Sequence, residues 1–191
     1  MKGLAVQNRL AVMISLLGLG LLAHALYMPT KALVAQVLLE VAWQRSLASG
    51  ELTRPWPWAD TQSIARIQFP SRDESFIVLT GSMGRTLAFG PGHLNGSSKP
   101  QENGHIVISG HRDTHFRLLE YIEPGDKVIL ETIDGKKHTF RTINSRIVDT
   151  RKETLALDQT RHQLTLITCY PFDAIHAGGP LRLRLDAIIE T

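Results

Sequence analysis

The stretch "LTLITCYPF", residues 164–172, holds the only cysteine of the chain and decides how the rest is read. Its side chains alternate and then stop at a proline. A period of two is the mark of a strand whose faces differ. With Gln163 included, Leu164 and Leu166 fall on one face, and Thr168 has the same parity. Thr165, Ile167 and Cys169 fall on the other. A second segment repeats the pattern: in "LRLRLD" (181–186), Leu181, Leu183 and Leu185 oppose Arg182 and Arg184. If the leucines face a core, the cysteine and both arginines face outward together. Pro171 ends the first strand, so the 170–180 loop returns the chain. An antiparallel pair then places Arg182 beside Cys169, with Arg184 displaced by roughly 7 Å at ~3.4 Å per residue. The competing reading of Cys169 is a buried, inert core thiol.

Short strands with turn punctuation continue from residue 60 onward. The candidates are 62–69, 75–80, a piece around 86–89, 104–110, 127–132, 137–147, 163–169 and 181–189. Asp134-Gly135 marks a hairpin between two of them. Helical pieces are short, at 115–121 and 152–157. Eight short strands with few helices make the fold class mainly β, a closed or nearly closed barrel.

Before the barrel lies a different kind of segment. Leu10–Ala23 is an uncharged apolar run that continues past His24 to Met28, and Lys2 and Arg9 precede it. About 19 residues at 1.5 Å rise span a bilayer's hydrocarbon core. Flanking basic residues place the N-terminus in the cytoplasm, with Tyr27 at the interface. A cleaved signal peptide is the alternative, but its apolar region would be only ~7–15 residues long. Residues 29–50 carry Leu33, Val34, Val37, Leu38, Val41 and Ala42 at helical spacing, an amphipathic juxtamembrane helix. "GELTRPWPWAD" (50–60) breaks it into an extended linker whose Trp56 and Trp58 are read as packing on the domain. The expected organisation is therefore 1–28 cytoplasmic tip and anchor, 29–59 helix and Pro/Trp linker, and 60–191 the barrel domain. The formal charge is +3 over 191 residues, and two of those charges are Lys2 and Arg9. No basic stripe remains to bind nucleic acid.

A lone cysteine in an exported chain has no intramolecular disulfide partner and suggests an intermolecular pair or a reactive thiol. A reactive thiol needs a histidine or a positive charge nearby. Of the eight histidines, His24 lies in the anchor and His138 in a charged hairpin. His162 lies in a polar stretch, and His93, His105 and His176 in ambiguous glycine-rich or loop settings. His111 directly follows an apolar strand and a glycine in "HIVISGHRDTHF", a rigid mount with open access. His115 is its near competitor and is read as orienting the loop or capping the short helix. Acyl transfer also needs an oxyanion partner, and geometry favours Arg182 over Arg184.

These residues resemble the sortases, a family of cysteine transpeptidases. "TLITC" (165–169) looks like their TLxTC signature and "GHR" (110–112) like their histidine motif, and the order His, Cys, Arg matches. The likeness runs from about residue 60 to the end. "TCYPF" followed by "GGPLR" is most similar to class D-type sortases and to the class found in Gram-negative bacteria, although Leu181 stands where class D enzymes often have lysine. The resemblance implies an eight-stranded sortase barrel, His111 as general acid/base, Cys169 as nucleophile and Arg182 as oxyanion or positioning residue. It implies a substrate protein with an LPXTG-like C-terminal sorting signal, an amine acceptor of unknown identity, and no metal or organic cofactor. It also implies a single-pass protein of the inner (cytoplasmic) membrane with its catalytic domain in the periplasm. Some members of the family bind calcium through clustered acidic loop residues; here Asp149, Glu153 and Asp158 are spread along one loop region and read as surface charges. Thr168 and, in the 148–163 loop, Leu155 are candidate substrate contacts; for both, a structural role is the alternative.

Two rival classes remain. A papain-like or cell-wall cysteine hydrolase places cysteine before histidine, opposite to the order here, and the Ser-His-Gly-Cys cluster of an L,D-transpeptidase is absent. A membrane-tethered binding module with an inert cysteine is the non-enzymatic reading.

Overall fold

Short alternating segments rich in β-branched residues and leucine cannot bury both faces as isolated hairpins. In a computed structural model, which describes residues 2–176 and 178–190, they close into a barrel. The strands are β1 (Ser63–Phe69), β2 (Glu74–Thr80), β3 (Gly92–His93), β4 (His105–Ser109), β5 (Lys127–Thr132), β6 (Lys137–Asp149), β7 (Gln163–Cys169) and β8 (Leu181–Ile189). Their order around the barrel is β1-β2-β3-β4-β7-β8-β6-β5. β2–β3 and β4–β7 are parallel; the remaining pairs are antiparallel. Inward parity supplies the core: Ile67, Ile106, Ile108, Leu130, Leu164, Leu166 and Leu185 are fully buried, with Phe69, Phe116 and Phe140 between them.

Three expectations need correction. Residues 86–89 are not a strand. Gly84–Leu87 forms α2, one short helical turn, and the third strand is the two-residue β3 further on. Gly92 belongs there because a Cβ would stand 2.2 Å from the Gly81 carbonyl oxygen. Only glycine permits that approach of β3 to the end of β2. Residues 152–157 form no helix; they run irregularly past the end of β6. The helical piece expected at 115–121 is a 3-10 helix over Arg117–Tyr121.

The N-terminal segment is one helix, α1 (Lys2–Ser49), with Pro29 inside it, rather than an anchor followed by a separate helix. The chain divides into two compact units, Met1–Val37 and Leu38–Thr191. In the first, the helix is long and apolar enough to cross a membrane, and Leu16, Leu17, Leu19, Leu21 and Leu22 are all exposed. The side chains of Lys2 and Arg9, expected to orient it, lie outside the described residues. In the second, the last turns of the helix bury Leu39, Ala42, Trp43 and Ser46. Glu40 pairs with Arg66 at 2.5 Å, and the Arg66 guanidinium lies over the Trp43 ring. The anticipated stripe of Leu33, Val34 and Val37 is instead exposed. Trp56 packs edge-on against Phe89, whereas Trp58 projects into solvent.

Candidate active site

β7 sits between β4 and β8, and the two registers define the site. Ser109 of β4 is level with Ile167, and the ladder continues as Gly110 N–H donates to the Ile167 carbonyl at 3.1 Å. Two residues past Ser109, His111 falls level with Cys169. On the other side Cys169 pairs directly with Arg182. Backbone register thus puts residues 111, 169 and 182 in one row across adjacent strand ends, with the strands about 4.8 Å apart. The row lies on the outward face, because Leu164, Leu166 and Thr168 take the inward parity and are buried. Cys169 is half-buried and free.

Local features hold the row. Thr168 is buried, and its hydroxyl donates to the Gly110 carbonyl at 2.8 Å, tying the residue before His111 to the residue before Cys169. That bond occupies the hydroxyl's one donor. Gly110 itself carries no side chain because the Phe116 ring covers it; a Cβ would meet that ring at 2.7 Å. The Phe116 N–H donates back to the His111 carbonyl at 3.0 Å, closing the turn that presents the imidazole. Tyr170 N–H donates to the Leu181 carbonyl at 3.0 Å, completing the register beside Arg182.

The two arginines differ in their partners. Arg184 Nε donates to Asp186 at 2.8 Å, and the same carboxylate oxygen accepts from Thr165 at 2.7 Å. Thr165 in turn contacts His105 Nε2 at 2.8 Å. Arg182 has no carboxylate partner among the described residues; Nη1 donates to the carbonyls of Gly179 (2.5 Å) and Leu181 (2.8 Å). An arginine whose charge is not cancelled by a carboxylate is the one available to a developing oxyanion.

The other histidines are placed apart from this chemistry. His105 is fully buried with an unpartnered Nδ1; burial, reinforced by Arg184, pushes its pKa down. Burial likewise lowers His93, which is held by the Ser98 carbonyl and the Ser97 hydroxyl. His162 is lowered by burial and by His138, and stacks against Phe140 and His138. His115 does not cap a helix: it lies edge-on to Phe76, and burial followed by its neighbour His111 lowers it. Asp149 pairs with Arg151, Glu153 with Arg146 and Asp158 with Arg161. Leu155 is half-buried in the irregular stretch after β6.

Sequence reasoning missed Arg112. Adjacent to His111, it is 7% exposed and donates to the carbonyls of Pro171, Ala174 and His176. Its place in "GHR" was the only available signal, because backbone carbonyls some sixty positions away leave no mark in composition.

A thiol, an imidazole and an unpaired guanidinium in a row on a closed barrel can hold a nucleophile, a proton carrier and an oxyanion partner. The sortase domain family matches residues 67–186, which spans β1 into β8 and includes the whole row, and the chain belongs to the sortase family. It is similar to sortase D from Bacillus subtilis (strain 168), 34% identical over 115 residues. That match covers 60% of this chain and 58% of the relative, so less than two thirds of that relative's length is spanned. Among solved structures it is similar to sortase A from Corynebacterium diphtheriae, with a TM-score of 0.61 and 26% identity over 82% of this chain and 84% of that one. It is also similar to sortase C-1 from Actinomyces oris, with a TM-score of 0.60 and 28% identity over 68% of this chain and 75% of that one. The expected tie to a Gram-negative class gains no support: the curated relative is a Gram-positive sortase D.

Proposed function

We propose that this chain is a membrane-anchored cysteine transpeptidase acting on proteins that end in an LPXTG-like sorting signal. The observation that carries the reading is the in-register row of His111, Cys169 and Arg182. The thiolate of Cys169 attacks the carbonyl of the signal's threonine. Arg182 offers its Nη2 and Nε N–H groups to the oxyanion that forms. As the tetrahedral adduct collapses, the Thr–Gly C–N bond breaks and His111 delivers a proton to the departing amine. The thioacyl-enzyme is then attacked by an acceptor amine, which yields its proton to His111, and the Cys169 thiolate leaves. Water in place of the amine gives hydrolysis.

Leu155, half-buried beyond β6, lines the approach for the apolar first residue of the signal. The apolar helix of the first unit anchors the protein in the cytoplasmic membrane, with the catalytic domain on the extracytoplasmic side. The test is transfer of an LPXTG-like peptide to an amine acceptor, followed by mass spectrometry. Cys169→Ala abolishes both transfer and the thioacyl adduct, and His111→Ala lowers kcat at least ~1,000-fold. Undiminished transfer by Cys169→Ala would sink the reading.

A further inference from the structure

The loop from Cys169 to Arg182 is tied down by two arginines, one for each half. Arg182 holds the second half through Gly179 and Leu181. Arg112 holds the first: Nη1 donates to Pro171 at 2.8 Å, and Nη2 to Ala174 at 2.8 Å and to His176 at 3.2 Å. Its Nε reaches Asp113 at 3.3 Å, so the guanidinium is satisfied around its rim. A buried guanidinium is retained only where its N–H groups find acceptors, because its desolvation is otherwise uncompensated. The carbonyls of 174 and 176 turn inward to meet it, and Ile175 between them points outward, 94% exposed. Arg112 thus joins the segment bearing the imidazole to the segment leaving the thiol.

We propose that Arg112 is a positioning residue. It keeps the 170–176 half of the loop, and through it Cys169, aligned with His111 while Arg182 turns its Nη2 and Nε groups to substrate. The inference rests on the transpeptidase reading above. Arg182 braces the second half of the loop through Nη1 alone, which leaves the N–H groups of Nη2 and Nε to an oxyanion. Arg112, on a different strand end, holds the first half through three carbonyls while its Nε rests on Asp113. Lysine cannot replace its fork, because an ammonium is a compact point charge rather than a planar set of five donors.

The experiment uses the full chain with Arg112→Ala and Arg112→Lys, each alone and combined with Arg182→Ala. In the native background Arg112→Ala lowers kcat about 100-fold, the scale of a small misplacement of reacting groups, while KM stays within about 3-fold. Arg112→Lys recovers roughly tenfold of that loss. In the Arg182→Ala background the Arg112→Ala loss shrinks below about 5-fold, because both residues serve the same step. Hydrogen exchange of the unliganded protein speeds up across 170–176. Equal losses in both backgrounds mark a general structural role and overturn the proposal, as does native kcat in a folded Arg112→Lys. A wild-type protein inert to every sorting peptide defeats the proposed substrate instead; exchange across 170–176 that is unchanged in Arg112→Ala still defeats this inference independently.

Discussion

The β7–β8 pair contains two regions built from the same residue types with opposite outcomes. In its middle, Thr165, Arg184 and Asp186 bond to one another and to His105 beneath them. At its end, Cys169 and Arg182 stand level, and Arg182 makes no ion pair among the described residues. The middle has a donor for its acceptor and a counter-charge for its cation. The end holds its cation with neutral carbonyls only. A carboxylate near Cys169 would cancel the field that a developing oxyanion needs. The nearest acid in the ladder, Asp149 opposite Leu181, is taken up by Arg151, so the difference lies in which arginine is left without a counter-charge.

The sharpest way to break this comparison is to remove each arginine in turn. Arg182→Ala should lower kcat/KM by about 100- to 1,000-fold, the usual cost of an oxyanion donor. Arg184→Ala should cost less than about 5-fold in activity, measured on the same peptide. A reversal would move the site two register positions along the strands, to Ile167 and Arg184. Removing the shared acid instead, by Asp186→Ala, leaves Arg184 and Thr165 without their acceptor. We expect about 1–3 kcal/mol of lost stability in urea unfolding, with kcat little changed. Thr168→Val removes the donor to Gly110 and should cost about 1–2 kcal/mol, together with a several-fold loss of kcat because His111 follows that carbonyl.

The smallest effect is a pH dependence. His93 and His105 have folded pKa values below their unfolded value of about 6.5. The unfolded state therefore binds more protons in the window below pH 6.5, and stability falls as pH drops through it. The contribution is fully present above the unfolded pKa and is lost on approach to the folded one. Urea midpoints measured from pH 7.5 down to 5 should decline, and His105→Gln should flatten the decline. A flat profile in the native chain would show that these rings are not held neutral.

Much of this was legible before any coordinates. Strict alternation in β7 and β8 gave the inward leucines, the outward cysteine and the direct opposition of Cys169 and Arg182. The signals were strong because period-two parity and a short connecting loop leave one register. β3 was misplaced by several residues because its two residues owe their strand character to neighbours, not to propensity. The same applies to α1: helical spacing predicted an apolar stripe, yet the face that packs is Leu39, Ala42, Trp43 and Ser46, chosen by what lies beneath it. The 152–157 segment has good helix formers but lacks the length and tertiary support to hold a helix. Arg112 escaped notice because its partners are main-chain atoms.

The parallel pairing of β4 with β7 has a practical consequence. It sends the carboxyl ends of both strands to one rim of the barrel, where β8 begins. The β5–β6 hairpin, closed at Asp134-Gly135 by the Thr132 N–H to the Lys136 carbonyl, turns at the opposite rim, as does the 94–104 connection. Reagents, labels or a surface linkage grafted at Asp134-Gly135 would leave the working rim unobstructed. The molecule thus comes with a handle at one end and a tool at the other.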